Sequence, residues 1–164
     1  MKDFFKKVNI KRAVKYALYM FLALVSQDML FTQLRIAGVC PMFLPAVAIA
    51  VGMFEGASWG AVFGLIMGVF ADMAFVENTI LFTVLFPALS FMAGFVAHFF
   101  LNRRFFAFMV AASAGILATA LVQMFGVASA EGFSSVMLTT ALLQTLWSLP
   151  PAALAYFPPA KWIE

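Results

Sequence analysis

Residues Gly52 to Asp72 read G-M-F-E-G-A-S-W-G-A-V-F-G-L-I-M-G-V-F-A-D, and this stretch decides the fold. Gly52, Gly56, Gly60, Gly64 and Gly68 stand four apart, and the next step lands on Asp72, a carboxylate in an otherwise apolar run. Inside a helix each glycine costs about 1 kcal/mol relative to alanine, so such a row persists only where close backbone approach offsets the loss. A lipid bilayer supplies that setting. There, small residues every fourth position let helices pack by van der Waals contact, and an embedded acid is a functional-site candidate. Four residues advance about 400°, so the row drifts by about 40° per step, and a neighbour can follow it only at a right-handed crossing of about −40°. The occupant of this groove is either another helix of the same chain or a docked membrane protein.

Composition points the same way. Of 164 residues, 65% are apolar and 10% charged, against about 25% charged in soluble domains. That length holds about six spans of ~20 residues with short turns, so residues 1–164 are expected to form a single polytopic all-α membrane domain. The net charge of +3 comes mostly from the N-terminal segment 1–13, with Lys2, Lys6, Lys7, Lys11 and Arg12. This reads as an orientation signal and anionic-lipid contact, not as nucleic-acid binding. Cys40 is the single cysteine and His98 the single histidine, which excludes an internal disulfide and a cysteine or histidine metal pair. No metal or cofactor is expected.

Six apolar segments make up a bundle over 14–157, followed by a short tail at 158–164. The first, about Val14 to Leu34, is too long for a signal peptide and reads as a retained anchor. The second, about Met42 to Phe54, is short and carries Pro41 and Pro45 at its start, which suggests a tilted, broken or re-entrant segment. The third runs from about Ser58 to Val76 after a Glu55-Gly56-Ala57 turn, and the fourth from about Ile80 to Leu101 with Pro87 inside. The fifth covers about Phe105 to Phe125, a small-residue turn occupies Gly126 to Gly132, and the sixth spans about Ser134 to Phe157 with a kink at Pro150 and Pro151.

With a cytoplasmic N-terminus, six spans place every lysine and arginine except Arg35 on the cytoplasmic side, including Arg103, Arg104 and Lys161, so the C-terminus is expected to be cytoplasmic too. Tyr16, Tyr19, Trp59, Tyr156 and Trp162 then fall near the cytoplasmic interface, and Trp147 is expected to be buried in mid-span.

Polar residues within the spans are few. Asp72 lies near the C-terminal end of the third segment, where the helix dipole disfavours negative charge, so it needs a partner or water. Asp28, beside Gln27, lies at similar depth in the first segment. Pairing of Arg35 with Asp72 or Asp28 is one reading; an outward-facing polar pocket formed by Gln27, Asp28, Arg35, Asp72 and Glu77 is the other. Gln123 and Gln144 could bond between helices. No Ser-His-Asp set, phosphate loop, zincin motif or paired-carboxylate motif with a base is present, so no catalytic residue is assigned.

The run Gln27 to Pro41, Q-D-M-L-F-T-Q-L-R-I-A-G-V-C-P, together with the glycine stretch, resembles the rod-shape-determining MreD family of bacteria. In that pattern a glutamine ends the first helix, a Gly-x-x-Pro turn follows, and spaced glycines lead through Gly-Leu-x-x-Gly to an aspartate. The match falls on Gln27, Gly38, Pro41, Gly56, Gly60, Gly64, Leu65, Gly68 and Asp72, and a small residue at Gly94 fits the fourth helix. It covers about Gln27 to Phe100; beyond Phe105 only hydrophobicity and Leu149-Pro150 correspond.

The resemblance implies a non-catalytic component of the cell-elongation machinery that builds side-wall peptidoglycan. Its implied partners are membrane lipids, an MreC-type bitopic scaffold, and through it a RodA-type glycosyltransferase and a class B penicillin-binding protein. Self-association is left open. The family's fold is similar to the S components of energy-coupling-factor vitamin transporters, which makes such a transporter subunit the rival expectation. Ala13-x-x-x-Ala17 weakly mimics their docking motif.

Overall fold

The computed structural model describes residues 10–31, 33–34, 38–75, 80–99 and 104–163. The protein is an all-α membrane bundle, with six helices among the described residues. These are α1 (Ile10–Ser26), continued by a π-helical turn at Gln27–Phe31, α2 (Leu44–Glu55), α3 (Ala57–Phe75), α4 (Leu81–Phe99), α5 (Phe105–Glu131) and α6 (Ser135–Ile163). Among the described residues, four stretches are long and apolar enough to cross a bilayer: Arg12–Phe31, Ala57–Ala74, Leu81–His98 and Phe105–Gly126.

The second segment is the centre of the molecule. α2 has 12 residues, about 18 Å of rise, well short of a ~30 Å hydrocarbon core. Every residue from Leu44 to Phe54 is buried, and α3, α4, α5 and α6 all pack on it. A helix apolar on every side has no face to offer water, so it is stable only when wrapped all round. Gly56 ends it with φ +93°, a conformation open to glycine and strained for other residues, and the chain reverses at once into α3.

Two boundaries differ from the sequence expectation. The stretch Gly126 to Gly132 is not a turn: α5 continues through Glu131 and stops at Gly132, where φ is +89° and the backbone N–H donates to the Ala128 carbonyl at 2.9 Å. A single glycine at 126 costs about 1 kcal/mol within a helix, too little to stop one whose neighbours propagate it. Likewise the last helix does not end near Phe157: α6 runs through Pro150, Pro151, Pro158 and Pro159 to Ile163.

The end of the bundle marked by Arg12 is closed by aromatic rings. The Tyr19 hydroxyl donates to the Ala155 carbonyl at 2.8 Å, while Tyr16 and Tyr19 both meet the Trp162 ring edge-on. Tyr156 touches Phe54, Phe105 and Phe108, joining α2, α5 and α6. Trp147 departs from expectation. It is only partly buried, and its indole N–H donates at 3.1 Å to the carbonyl of Leu34 beyond the far end of α1. An indole has one N–H, and that donor places the ring beside a loop carbonyl instead of deep in hydrocarbon.

Candidate functional site

The glycine row is split between two helices folded on one another. Gly52 lies on α2, Gly56 forms the reversal, and Gly60, Gly64 and Gly68 lie on α3. A methyl group added to Gly60 would run into the Cα of Gly52, so the two backbones touch across the hairpin. On the other side of this contact stands α4. A Cβ at Gly64 would lie 2.7 Å from the Phe86 carbonyl oxygen and 2.9 Å from Pro87 Cα; one at Gly68 would strike the Phe82 carbonyl. Gly94 of α4 answers from its own side, since a Cβ there would sit 2.5 Å from the Ala57 N and 2.7 Å from the Gly52 carbonyl oxygen.

The groove is therefore filled by α4 of the same chain, not left open as a docking surface. The two readings of the sequence differed on this point, and the structure gives the first: the occupant is a helix of the same chain, next to α3 in sequence. Gly56 is the exception within the row. Nothing lies within 4 Å of a Cβ built there, and its role is the positive φ of the reversal.

Asp72 ends the row. It is 9% exposed, and its carboxylate accepts from the Phe82 backbone N–H at 3.0 Å and from the Thr83 N–H at 2.7 Å. These are first-turn amides of α4, which have no partner inside their own helix. Asp72 thus caps α4 from α3. Its charge, unfavourable at the end of its own helix, lies against the positive end of the next one. The expected pairing partner Arg35 lies outside the described residues, as does Glu77, and the contacts shown for Asp72 are to backbone. No sequence motif marks a backbone amide as a partner, because every residue but proline carries one.

Gln27 does the equivalent work for α2. Its side-chain Nε2 donates to the Pro41 carbonyl at 3.0 Å, and its Oε1 accepts from the Phe43 N–H at 2.7 Å. The Met42 N–H donates to Ser148 Oγ at 2.7 Å. The buried beginning of α2 is thus satisfied by one side chain from α1 and one from α6. Asp28, next along the π-helical turn, is exposed and borders a cleft between α1 and α3 with Phe70 and Ala74. The structure therefore does not gather Gln27, Asp28 and Asp72 into one pocket. Gln27 and Asp72 tie separate helix starts, and Asp28 faces outward.

Two contributors were missed in the sequence. Ser90 is fully buried and donates from Oγ to the Ala48 carbonyl at 2.7 Å, at the point where Gly52 approaches α4. Its position four residues before Gly94 repeats the small-residue spacing and could have revealed it. Arg12 Nε pairs with Glu55 Oε1 at 3.1 Å, with the Tyr16 hydroxyl donating to the same oxygen; nothing in the linear spacing links residues so far apart.

Replacing Gln27 with leucine keeps the volume but leaves the Phe43 N–H and Pro41 carbonyl without their side-chain partner. We expect a loss of about 1–3 kcal/mol in unfolding free energy, measured by denaturant titration in detergent.

No family model, no curated protein and no solved structure matches this chain. What stands is a membrane-embedded bundle whose in-span polar side chains Gln27, Asp72, Ser90 and Ser148 are each engaged by backbone groups of another helix or its flanking turn.

Proposed function

We propose that the chain is a non-catalytic scaffold subunit of the bacterial cell-elongation machinery, seated in the cytoplasmic membrane with both termini on the cytoplasmic side. In this role it holds an MreC-type bitopic partner and, through it, a RodA-type glycosyltransferase and a class B penicillin-binding protein. The likeness of the Gln27 to Asp72 pattern to the MreD family is the basis of the reading. The observation that carries it is the use of those same residues: Gln27, the glycines and Asp72 fix one helix arrangement, and among the described residues Gln27, Asp28 and Asp72 do not converge on one polar pocket. A rigid bundle with an apolar outer surface is suited to holding neighbours within the bilayer. Because the glycine groove is filled by α4, partner contacts fall on the outward faces, such as α3 at Val62, Leu65, Val69 and Met73.

The rival transporter reading requires polar side chains free to bind a solute. Depletion in a rod-shaped host separates the two. We expect cells to round up while vitamin uptake is unchanged; normal shape with an uptake defect, or a water-soluble vitamin retained by the purified protein, overturns the proposal.

A further inference from the structure

The last turn of the α1 span breaks a rule that the rest of the bundle keeps. Gln27, Glu55 and Asp72 are each engaged by another helix or its flanking turn. Asp28 is not. It is exposed in the π-helical turn Gln27–Phe31, and among the described residues it has neither a hydrogen bond nor an ion pair. Its direction is fixed by its neighbour. Gln27 is buried and bonded to both Pro41 and Phe43, so a rotation that brought the Asp28 carboxylate inside would break both bonds.

Depth makes this exposure costly. From Arg12, at the other end of the span, to Asp28 is sixteen residues, about 24 Å of rise, against a hydrocarbon layer of ~30 Å. The apolar surface also continues past the acid. Met29 and Leu30 on the same turn are exposed, as are Ile80 before α4 and, at 80%, Met73 of α3, whose neighbour Ala74 borders the same cleft as Asp28. Lysine and arginine leave such a position by snorkelling along a long stem; aspartate has one methylene and does not reach the surface. A carboxylate held in hydrocarbon is stable beside an opposite charge.

Charge and depth together select the occupant. A lipid ammonium lies in the headgroup layer, outside the hydrocarbon, and does not come down to Asp28. A lysine or arginine on a neighbouring transmembrane helix does, because its stem covers the remaining ~6 Å. Phe70 and Ala74 of α3 flank Asp28 and leave an apolar seat for the helix that carries the cation.

We propose that Asp28 is the contact point for a partner transmembrane helix that bears a basic side chain about one turn inside the membrane edge at this end of α1. The inference deepens the scaffold reading, in which partners meet the outward faces, by stating the chemistry of one partner. Its test uses no cell-elongation protein, so failure here leaves the depletion experiment to decide that reading.

The test is energy transfer in phosphatidylcholine vesicles between the full chain and a synthetic leucine-alanine transmembrane helix with a single arginine at that depth. The arginine helix is expected to associate about tenfold more strongly than the same helix with leucine in its place. Asp28→Asn, a change at an exposed side chain, is expected to remove the difference, and Asp28→Lys to reverse it in favour of a helix carrying glutamate. Arg35→Gln is expected to leave capture unchanged. Equal association of the arginine and leucine helices, a preference that persists in Asp28→Asn, or stronger capture by Arg35→Gln, which would make Arg35 an internal partner, overturns the site. So does loss of the preference when phosphatidylethanolamine replaces phosphatidylcholine, because the lipid ammonium then reaches the carboxylate.

Discussion

Replacing Gly64 with leucine is expected to abolish the folded protein, not merely to release a partner. Even the first carbon of the new side chain would stand 2.7 Å from the Phe86 carbonyl oxygen and 2.8 Å from its carbon. Those are backbone atoms of a buried helix segment, where Phe86 itself is fully buried, so rotamer changes give no relief and α4 must move away from α3. Ordinary overpacking costs about 1–3 kcal/mol, and forcing two backbones apart exceeds that range. Gly64→Ala adds that first carbon alone, so it too must displace the α4 backbone, and it is expected to cost about 3 kcal/mol or more, though less than leucine. Gly126→Leu supplies the contrast within the same chain: nothing lies within 4 Å of a Cβ there, and relief of the glycine penalty is worth up to about 1 kcal/mol. Limited proteolysis and monodispersity in detergent distinguish the three. A folded Gly64→Leu protein that has lost only its partners would restore the docking reading of the groove.

Removal of the Asp72 carboxylate is the second large effect. Asp72→Ala leaves the Phe82 and Thr83 N–H groups at the start of α4 without an acceptor, in an apolar setting and next to a helix dipole that has lost its countercharge. We expect a loss of about 2–4 kcal/mol, combining a missing helix cap with two orphaned donors. Asp72→Asn separates charge from geometry. Its amide oxygen still accepts from one N–H, while its NH₂ group faces the other donor, so the expected loss is about half as large. Unfolding midpoints in mild detergent, with amide exchange at Phe82 and Thr83 as the local readout, check both values. Unchanged exchange at these two amides in Asp72→Ala would show that the cap is not held in the membrane.

Much of the architecture was legible because hydropathy and small-residue spacing are properties of the chain alone. The six apolar segments, the reversal at Gly56 and the membrane setting all follow from such signals. What escaped was what depends on partners distant in sequence. Asp72 signals its need for a partner by being an acid among apolar residues, but backbone amides ten residues on carry no letter in the sequence. Ser148 looks like one more hydroxyl in a long helix until the Met42 N–H is found against it across the bundle. Helix ends were misplaced for a related reason. Gly126 and Pro158 resemble stops, yet α5 and α6 pass through both: a lone glycine costs only about 1 kcal/mol in a helix that its neighbours propagate, and next to Pro158 the buried Pro159 packs into the bundle. The shortness of α2 suggested a tilted, broken or re-entrant piece; its burial on all sides adds that it is the central helix on which α3, α4, α5 and α6 pack.

The seam also orders the molecule. Ser90, Gly52, Gly60 and Gly94 meet at one point where α2, α3 and α4 come together, and Asp72 fixes the start of α4 further along the same seam. Close approach at one place and a charged cap at another leave α4 little freedom to slide, a property useful to a subunit whose outer faces must keep their relative positions.

The most direct test is solid-state NMR of the protein in lipid bilayers with carbon-13 only at glycine. Backbone contact across the hairpin predicts a Gly52 to Gly60 cross-peak that persists when labelled protein is diluted into an excess of unlabelled chains. A cross-peak that is absent, or that disappears on dilution and so arises between copies, would contradict the intramolecular seam on which the structure is built.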